Sequence, residues 1–338
     1  MNTRLLGSLL IALLTFAIPA FAEDKPDAKT PAPKAEPKAE PKPAPKAEPK
    51  NKFADLVEMH LDQPYAGNTN PRQMVDLYLP KKRLDDKPLP VVVMIHGGGW
   101  TSGDRKGYAG GAAALAATGK YAAVSVGYRL SPEAKWPAQI YDCKAAVRWV
   151  RGNAQKYNLD PTKIGVTGAS AGGHLVTLLG LTDGVKELEG DIGEFTKESS
   201  GVTCVINFCG PIDLTLPLMQ GEAAKKDDPA VSGLIGGSLK DKADVAKAAS
   251  PINYITAKAV PIMTFHGTKD MRVNFEQAEL LNAALKKAGT TSLFIPVTDA
   301  GHGIPIGAEL IHRSQQFWDM YLRGEKAEIS TEAIPPGK

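Results

Sequence analysis

Cysteine is scarce in this 338-residue chain: Cys143, Cys204 and Cys209, with none before position 143. A small disulfide-stapled fold is therefore excluded, as is lipid attachment through an N-terminal cysteine. Cys204 and Cys209 lie in one apolar run, and five residues along a strand place them on opposite faces about 17 Å apart, too far to bridge. Buried free thiols are expected, with a Cys143 pairing to one of the others left open. No C-x-x-C or His/Cys cluster suggests a metal, and no cofactor is expected. Excess positive charge is missing too. The net +3 comes from Arg4 and the segment 23–52, because residues 53–338 carry 31 Lys/Arg against 31 Asp/Glu. A domain of zero net charge has no electrostatic footprint for nucleic acid.

What the first 52 residues do hold is an address and a spacer. Arg4 precedes the uncharged run 5–22, which ends Ala20-Phe21-Ala22. A basic start, an apolar stretch and small residues at the end describe a secretory signal peptide over 1–22, cleaved after Ala22, rather than an uncleaved anchor. Export, to the medium or the periplasm and cell envelope, is the expectation. Residues 23–52 contain eight Pro and eight Lys, with Lys-Ala-Glu-Pro at 34–37, 38–41 and 46–49. Proline opposes helix and nothing here can build a core, so the segment predicts an extended, disordered linker. It either holds a domain away from a surface or serves as a soluble leader. The tail 324–338 is polar and predicts fraying.

From residue 53 onward, short β-branched runs alternate with helical patterns, predicting one domain over 53–323. Strands are expected at 74–79, 91–95, 122–126, 163–166, 202–208, 261–265 and 293–297. Helices are expected at 138–157, 171–181, 275–288 and 308–322. Ile140, Cys143, Val147 and Val150 recur at helical spacing. Continuous apolar strands separated by helices predict an α/β fold, a mostly parallel sheet covered on both faces. Its chemistry would sit at the carboxyl ends of the strands. The Gly-, Lys- and Asp-rich stretch 211–249 reads as an insertion.

After the strand at 163–166 comes Gly168-Ala169-Ser170-Ala171-Gly172-Gly173 and then a helix. That is G-x-S-x-G in the strand–turn–helix context that lifts a serine above a sheet. A second glycine turn, His96-Gly97-Gly98-Gly99-Trp100, follows the strand at 91–95. With no Lys-Ser/Thr behind it, it is no nucleotide-binding loop; it suits an oxyanion pocket formed by Gly98, Gly99 and Ala171. Among six histidines, only His302 lies in a Gly-flanked loop after a late strand, where an imidazole can reach Ser170. His174 leaves on the helix behind the serine, and His266 is placed to brace the turn that follows it. Asp270, just past the strand at 261–265, is the preferred acid over Asp299, which shares the loop of His302. The order Ser170, Asp270, His302 is the chain order of an α/β-hydrolase triad.

These motifs resemble the α/β-hydrolase esterases related to hormone-sensitive lipase and the bacterial feruloyl/acetyl-xylan (BD-FAE-like) esterases. The block Tyr128-Arg129-Leu130-Ser131-Pro132-Glu133, with Trp136-Pro137-Ala138 and Asp142, adds to the likeness, which spans about 55–322. The resemblance implies a serine carboxylesterase working through an acyl-enzyme, with Ser170, Asp270 and His302 as the triad. Ala169 stands where the lipase branch usually has Asp; with export, this favours the polysaccharide-esterase branch, acting on a small ester or an acylated polysaccharide. Trp100 and Tyr128 could line the substrate pocket or pack into the core. The run 211–249, with Lys225-Lys226-Asp227-Asp228, holds no long apolar lid, which argues for short acyl or small aromatic acids. A short-chain lipase or general carboxylesterase is the alternative. From another class comes a displayed polysaccharide-binding pseudo-hydrolase, although no triad member is missing here.

Overall fold

The computed structural model describes residues 53–336, apart from 54 and 220. The expected signal peptide 1–22 and expected linker 23–52 lie outside the described residues. Eight strands form one sheet: β1 (Val57–Pro64), β2 (Met74–Pro80), β3 (Leu89–Ile95), β4 (Ala122–Val126), β5 (Leu159–Ala169), β6 (Cys204–Phe208), β7 (Ile262–Gly267) and β8 (Ser292–Val297). Their order is β1-β2-β4-β3-β5-β6-β7-β8. The pairs β1/β2 and β2/β4 are antiparallel, and all the rest are parallel. Seven of these strands match the sequence expectation. The edge strand β1 was not expected: Val57, Met59 and Leu61 alternate with Glu58, His60 and Asp62, but the run is short, and of its apolar residues only Val57 is buried.

Nine helices occur among the described residues: α1 (Ala109–Ala116), α2 (Ala138–Gly152), α3 (Ala154–Tyr157), α4 (Ala171–Leu181), α5 (Lys186–Glu189), α6 (Pro229–Ile235), α7 (Ala243–Ala249), α8 (Glu276–Lys287) and α9 (Ala308–Arg323). None is long and apolar enough to cross a membrane. The single helix expected over 138–157 breaks at Asn153 into α2 and α3. The period of two along each strand splits the core. Val91, Val93 and Ile95 of β3 join the layer that includes α2 and α4, whereas Val92 and Met94 join the layer of α1 and α9. Each fully buried branched side chain contributes about 1.5–3 kcal/mol by leaving water.

Two polar devices fix the connections. On α2, Lys144 and Arg148 are buried rather than solvated, and both reach Glu189, Lys144 Nζ at 2.6 Å and Arg148 Nη1 at 3.3 Å. Ser200 Oγ donates to the same carboxylate at 2.8 Å. This hub clasps the loop after α4 against α2. In the block that carried the resemblance, Arg129 grips Asp142 with two nitrogens while Gln73 Nε2 donates to it at 2.8 Å.

These contacts bear on three expectations. All three cysteines are buried and free, so no Cys143 bridge forms. The described residues of the stretch 211–249, read as an insertion, form a cap that carries α6 and α7, and Leu214, Val231, Leu234 and Ala246 enter the main core. Within the polar tail, the described residues 324–336 are tied down: Ile334 is buried and bridges Val297 beside β8, and Arg313 donates to the carbonyls of Ser330 and Glu332. Tertiary pairing overrode its polar composition.

Candidate active site

The sharp turn between β5 and α4 leaves Ser170 at φ 56°, ψ −121°, a region that costs a non-glycine residue about 1–3 kcal/mol. The surroundings enforce it. Ser170 N donates to Phe208 O at 2.8 Å, and a Cβ on Gly172 would lie 2.1 Å from Ile95 O. Only glycine lets α4 approach β3 so closely. The serine therefore stands at the carboxyl end of the central strands, partly exposed.

His302, from the loop after β8, completes the contact from above. Its Nε2 lies 2.9 Å from Ser170 Oγ, and its Nδ1 lies 2.8 Å from Asp270 Oδ2. A carboxylate only accepts, so Nδ1 carries the proton and Nε2 presents its lone pair to the serine hydroxyl. Asp270 is buried at the end of the β7 turn. Its Oδ1 accepts from the backbone N–H of Arg272 and Val273, both at 2.8 Å. Burial alone would raise its pKa. The hydrogen bonds from His266 and His302, the Val273 N–H and, once His302 is protonated, its charge outweigh burial and hold this carboxyl well below the usual carboxylate range. His266 Nε2 donates to Val273 O at 2.8 Å and faces Asp270 Oδ2 at 3.3 Å, bracing the turn as its position suggested.

The glycine turn lies against this relay. A Cβ on Gly97 would meet Ala169 O at 2.7 Å and Ser170 Cβ at 3.4 Å. Gly98 and Gly99 take φ of +114° and +58°, turning the backbone in a way few side chains allow. Ala171 opens α4, so its N–H has no acceptor within the helix. Gly98, Gly99 and Ala171 thus lie at the same end of the sheet as the three side chains.

Trp100 and Tyr128 require correction as pocket residues. Both are buried, at 1% and 0% exposure. Trp100, itself at φ +59°, sends its ring inward, where Nε1 donates to His174 Nδ1 at 3.2 Å. Tyr128 stacks on His96 at 4.2 Å and its hydroxyl donates to His96 O at 3.0 Å. Their polar tips found buried partners, so both rings brace the glycine turn from below. Burial lowers the pKa of His96 and His174 to about 4, outweighing the bonds to Gly97 O and Ala249 O, so both rings stay neutral.

Sequence reasoning missed Arg272 and Asp228. Arg272 holds Asp228, the cap of α6, through Nη1–Oδ2 and through Nη2–Oδ1 at 3.2 Å. Asp228-Pro229, a capping residue followed by proline at the first helical position, was the local signal for that helix. Beside it, a cleft of about 130 Å³ is lined by Leu216, Met219, Lys225, Lys226, Asp228 and Val231. Among the described residues, Cys209, Asp270 and His302 bring one potential ligand atom each within 4.8 Å of one another. Two of these atoms already bond each other, and burial pushes the Cys209 thiol up, which favours its neutral form.

A mostly parallel eight-stranded sheet with a serine elbow, a late aspartate and a loop histidine defines the α/β-hydrolase class. Within it, the chain belongs to the BD-FAE family, whose model matches residues 75–285. It is 32% identical over 240 residues to esterase LipC of Mycobacterium tuberculosis, covering 70% of this chain and 58% of that one. It is 30% identical over 254 residues to esterase LipQ of the same organism, covering 75% and 59%. The match thus spans about three-fifths of these curated relatives. A solved structure described as a truncated form of carbohydrate esterase from gut microbiota superposes with a TM-score of 0.72 at 31% identity, covering 79% of this chain and 97% of that one.

Proposed function

We propose that this protein is a serine carboxylic ester hydrolase acting on short-chain acyl or small aromatic-acid esters carried by carbohydrates. The carrying observation is the unbroken relay Ser170–His302–Asp270, with links of 2.9 and 2.8 Å, beside a glycine turn of positive φ. Support for the reaction class comes from relatives named esterases, and support for the carbohydrate comes from the carbohydrate esterase of similar fold.

The chemistry follows from the geometry. Ser170 Oγ attacks the ester carbonyl carbon as its proton passes to His302 Nε2, and the carbonyl π electrons move onto oxygen. The N–H groups of Gly98, Gly99 and Ala171 meet that oxyanion, with the α4 N-terminus behind it. Asp270 stabilises the imidazolium without taking its proton. Collapse breaks the bond to the alcohol, which leaves with the proton from His302. Water then repeats the cycle on the acyl-enzyme and releases the acid. Export by the leader 1–22 belongs to the same proposal; mature protein beginning at Glu23 would support it, and retention of residues 1–22 would remove it.

Initial rates on p-nitrophenyl acetate, butyrate and octanoate, with Ser170→Ala as blank, test this reading. Turnover that depends on Ser170 and falls steeply from acetate to octanoate is expected, with acetylated and feruloylated polysaccharides tried next. A preference for octanoate would point to lipids. No turnover on these or on acylated polysaccharides, with polysaccharide binding retained, would leave a displayed binding protein.

A further inference from the structure

The charged run at 225–228 contains a carboxylate with two distinct tasks. Asp228 is only 6% exposed. Its Oδ1 caps α6 by accepting from Ala230 N at 2.8 Å and Val231 N at 3.3 Å. The same group is held at both oxygens by Arg272, whose own N–H donates to Asp270. On the far side, a Cβ built on Gly99 would sit 3.2 Å from the Ala230 methyl. A chain of hydrogen bonds therefore runs from the Asp270 loop through Arg272 and Asp228 to Ala230, whose methyl packs close to the Gly99 backbone. It joins the acid end of the relay to the glycine turn without passing through the sheet. A buried carboxylate is costly when unpaired, so the guanidinium fixes where α6 begins.

We propose that Asp228 and Arg272 are a positioning pair that holds Ala230 against the Gly98–Gly99 turn and thereby sets the acyl length the site takes. This rests on the ester-hydrolase reading above. On this reading Ala230, beside the glycine turn that meets the oxyanion, walls the acyl side of the site, and the size of its side chain limits the acyl group. With the pair broken, α6 drifts outward, a small acyl group is held less well, and a longer one fits better. Sub-ångström drift suffices, since orientation at the reacting carbon is steeply coupled to rate.

The test compares acetate with butyrate p-nitrophenyl esters in the full-length protein. Asp228→Asn keeps a side-chain oxygen for the cap and leaves Arg272, about one-third exposed, in water. It is expected to lower kcat for acetate about 5–10-fold and raise the butyrate-to-acetate ratio of kcat/KM at least about threefold. Arg272→Lys should recover part of the native ratio, and Arg272→Met should not. Ala230→Gly, with the pair intact, should raise the ratio, and Ala230→Val should lower it. Urea midpoints identify any variant that fails to fold. A merely structural role would weaken both esters equally alongside a lower urea midpoint, and that result overturns the proposal. So does an unchanged ratio in Asp228→Asn and in both Ala230 variants. Absence of Ser170-dependent turnover in the native protein overturns the ester-hydrolase reading itself, and this proposal with it.

Discussion

The elbow and the cap over 211–249 meet at the same site but are built in opposite ways. The elbow is two elements from the middle of the molecule, and every residue of α4 is buried. It stores strain at Ser170 because its neighbours leave no alternative. The cap is made of pieces of five to seven residues, Gly221–Lys225, α6 and α7, joined by exposed turns. It is pinned at a few points: Arg272 on Asp228, Trp136 N on Leu234 O, and His174 Nε2 on Ala249 O. The difference separates two jobs. The triad side chains are fixed by the sheet and its turns, whereas the wall proposed to select the acyl group hangs on short helices held by a few hydrogen bonds and by core residues such as Leu234 and Ala246.

Changes on the two sides should therefore differ in kind. Ser170→Ala is expected to lower kcat roughly 10⁴–10⁶-fold with folding intact, checked by turnover and circular dichroism. Asp270→Asn should cost about 10⁴-fold, since an amide that can donate as well as accept no longer specifies the Nδ1–H tautomer. A loss below tenfold in either would detach the relay from the chemistry. Gly172→Ala should destabilise by about 3 kcal/mol or prevent folding, because the new methyl meets backbone at 2.1 Å; the urea midpoint reads it.

Acid should weaken the packing around the glycine turn and the elbow. His96 and His174 fall to about 4 in the folded protein, against about 6.5 when unfolded. Between those values the unfolded chain takes protons that the folded one refuses, so stability is full above pH 6.5 and declines towards pH 4. The loss is on the order of 3 kcal/mol for each ring, and the lowered Asp270 adds to it in the same direction at lower pH. Urea titrations at pH 7, 5.5 and 4 measure the slope; a flat profile would mean the buried rings charge without penalty. The smallest effect belongs on the cap: Lys225→Ala removes an ion pair to Glu222 whose partners are 70% and 88% exposed, and should change stability by less than about 0.5 kcal/mol.

What could be read from the chain alone follows the same division. The elbow, the glycine turn and the loops of Asp270 and His302 are local patterns, each a strand end followed by small residues, and their meeting needed only the chain order of the fold. The Ala/Gly-rich α1 has no periodic contrast to reveal it. The bonds of Lys144 and Arg148 to Glu189 and the Asp228–Arg272 pair join residues more than 40 positions apart, where no local signal exists. Trp100 and Tyr128 stood beside the right turn, yet their direction depended on buried acceptors contributed by His174 and His96.

The returning C-terminal segment has a bearing on how copies of this protein meet. Ile334 N donates to Pro296 O at 2.8 Å and Thr298 N to Ile334 O at 2.9 Å, so the chain itself occupies part of the outer ladder of β8. At the opposite margin, β1 is interrupted by a register shift between His60 and Gln63, with Asp62 in the left-handed region. One border is occupied and the other is irregular and charged. Neither offers a long straight row of open peptide groups, and this resists the strand-on-strand stacking by which concentrated sheet proteins aggregate.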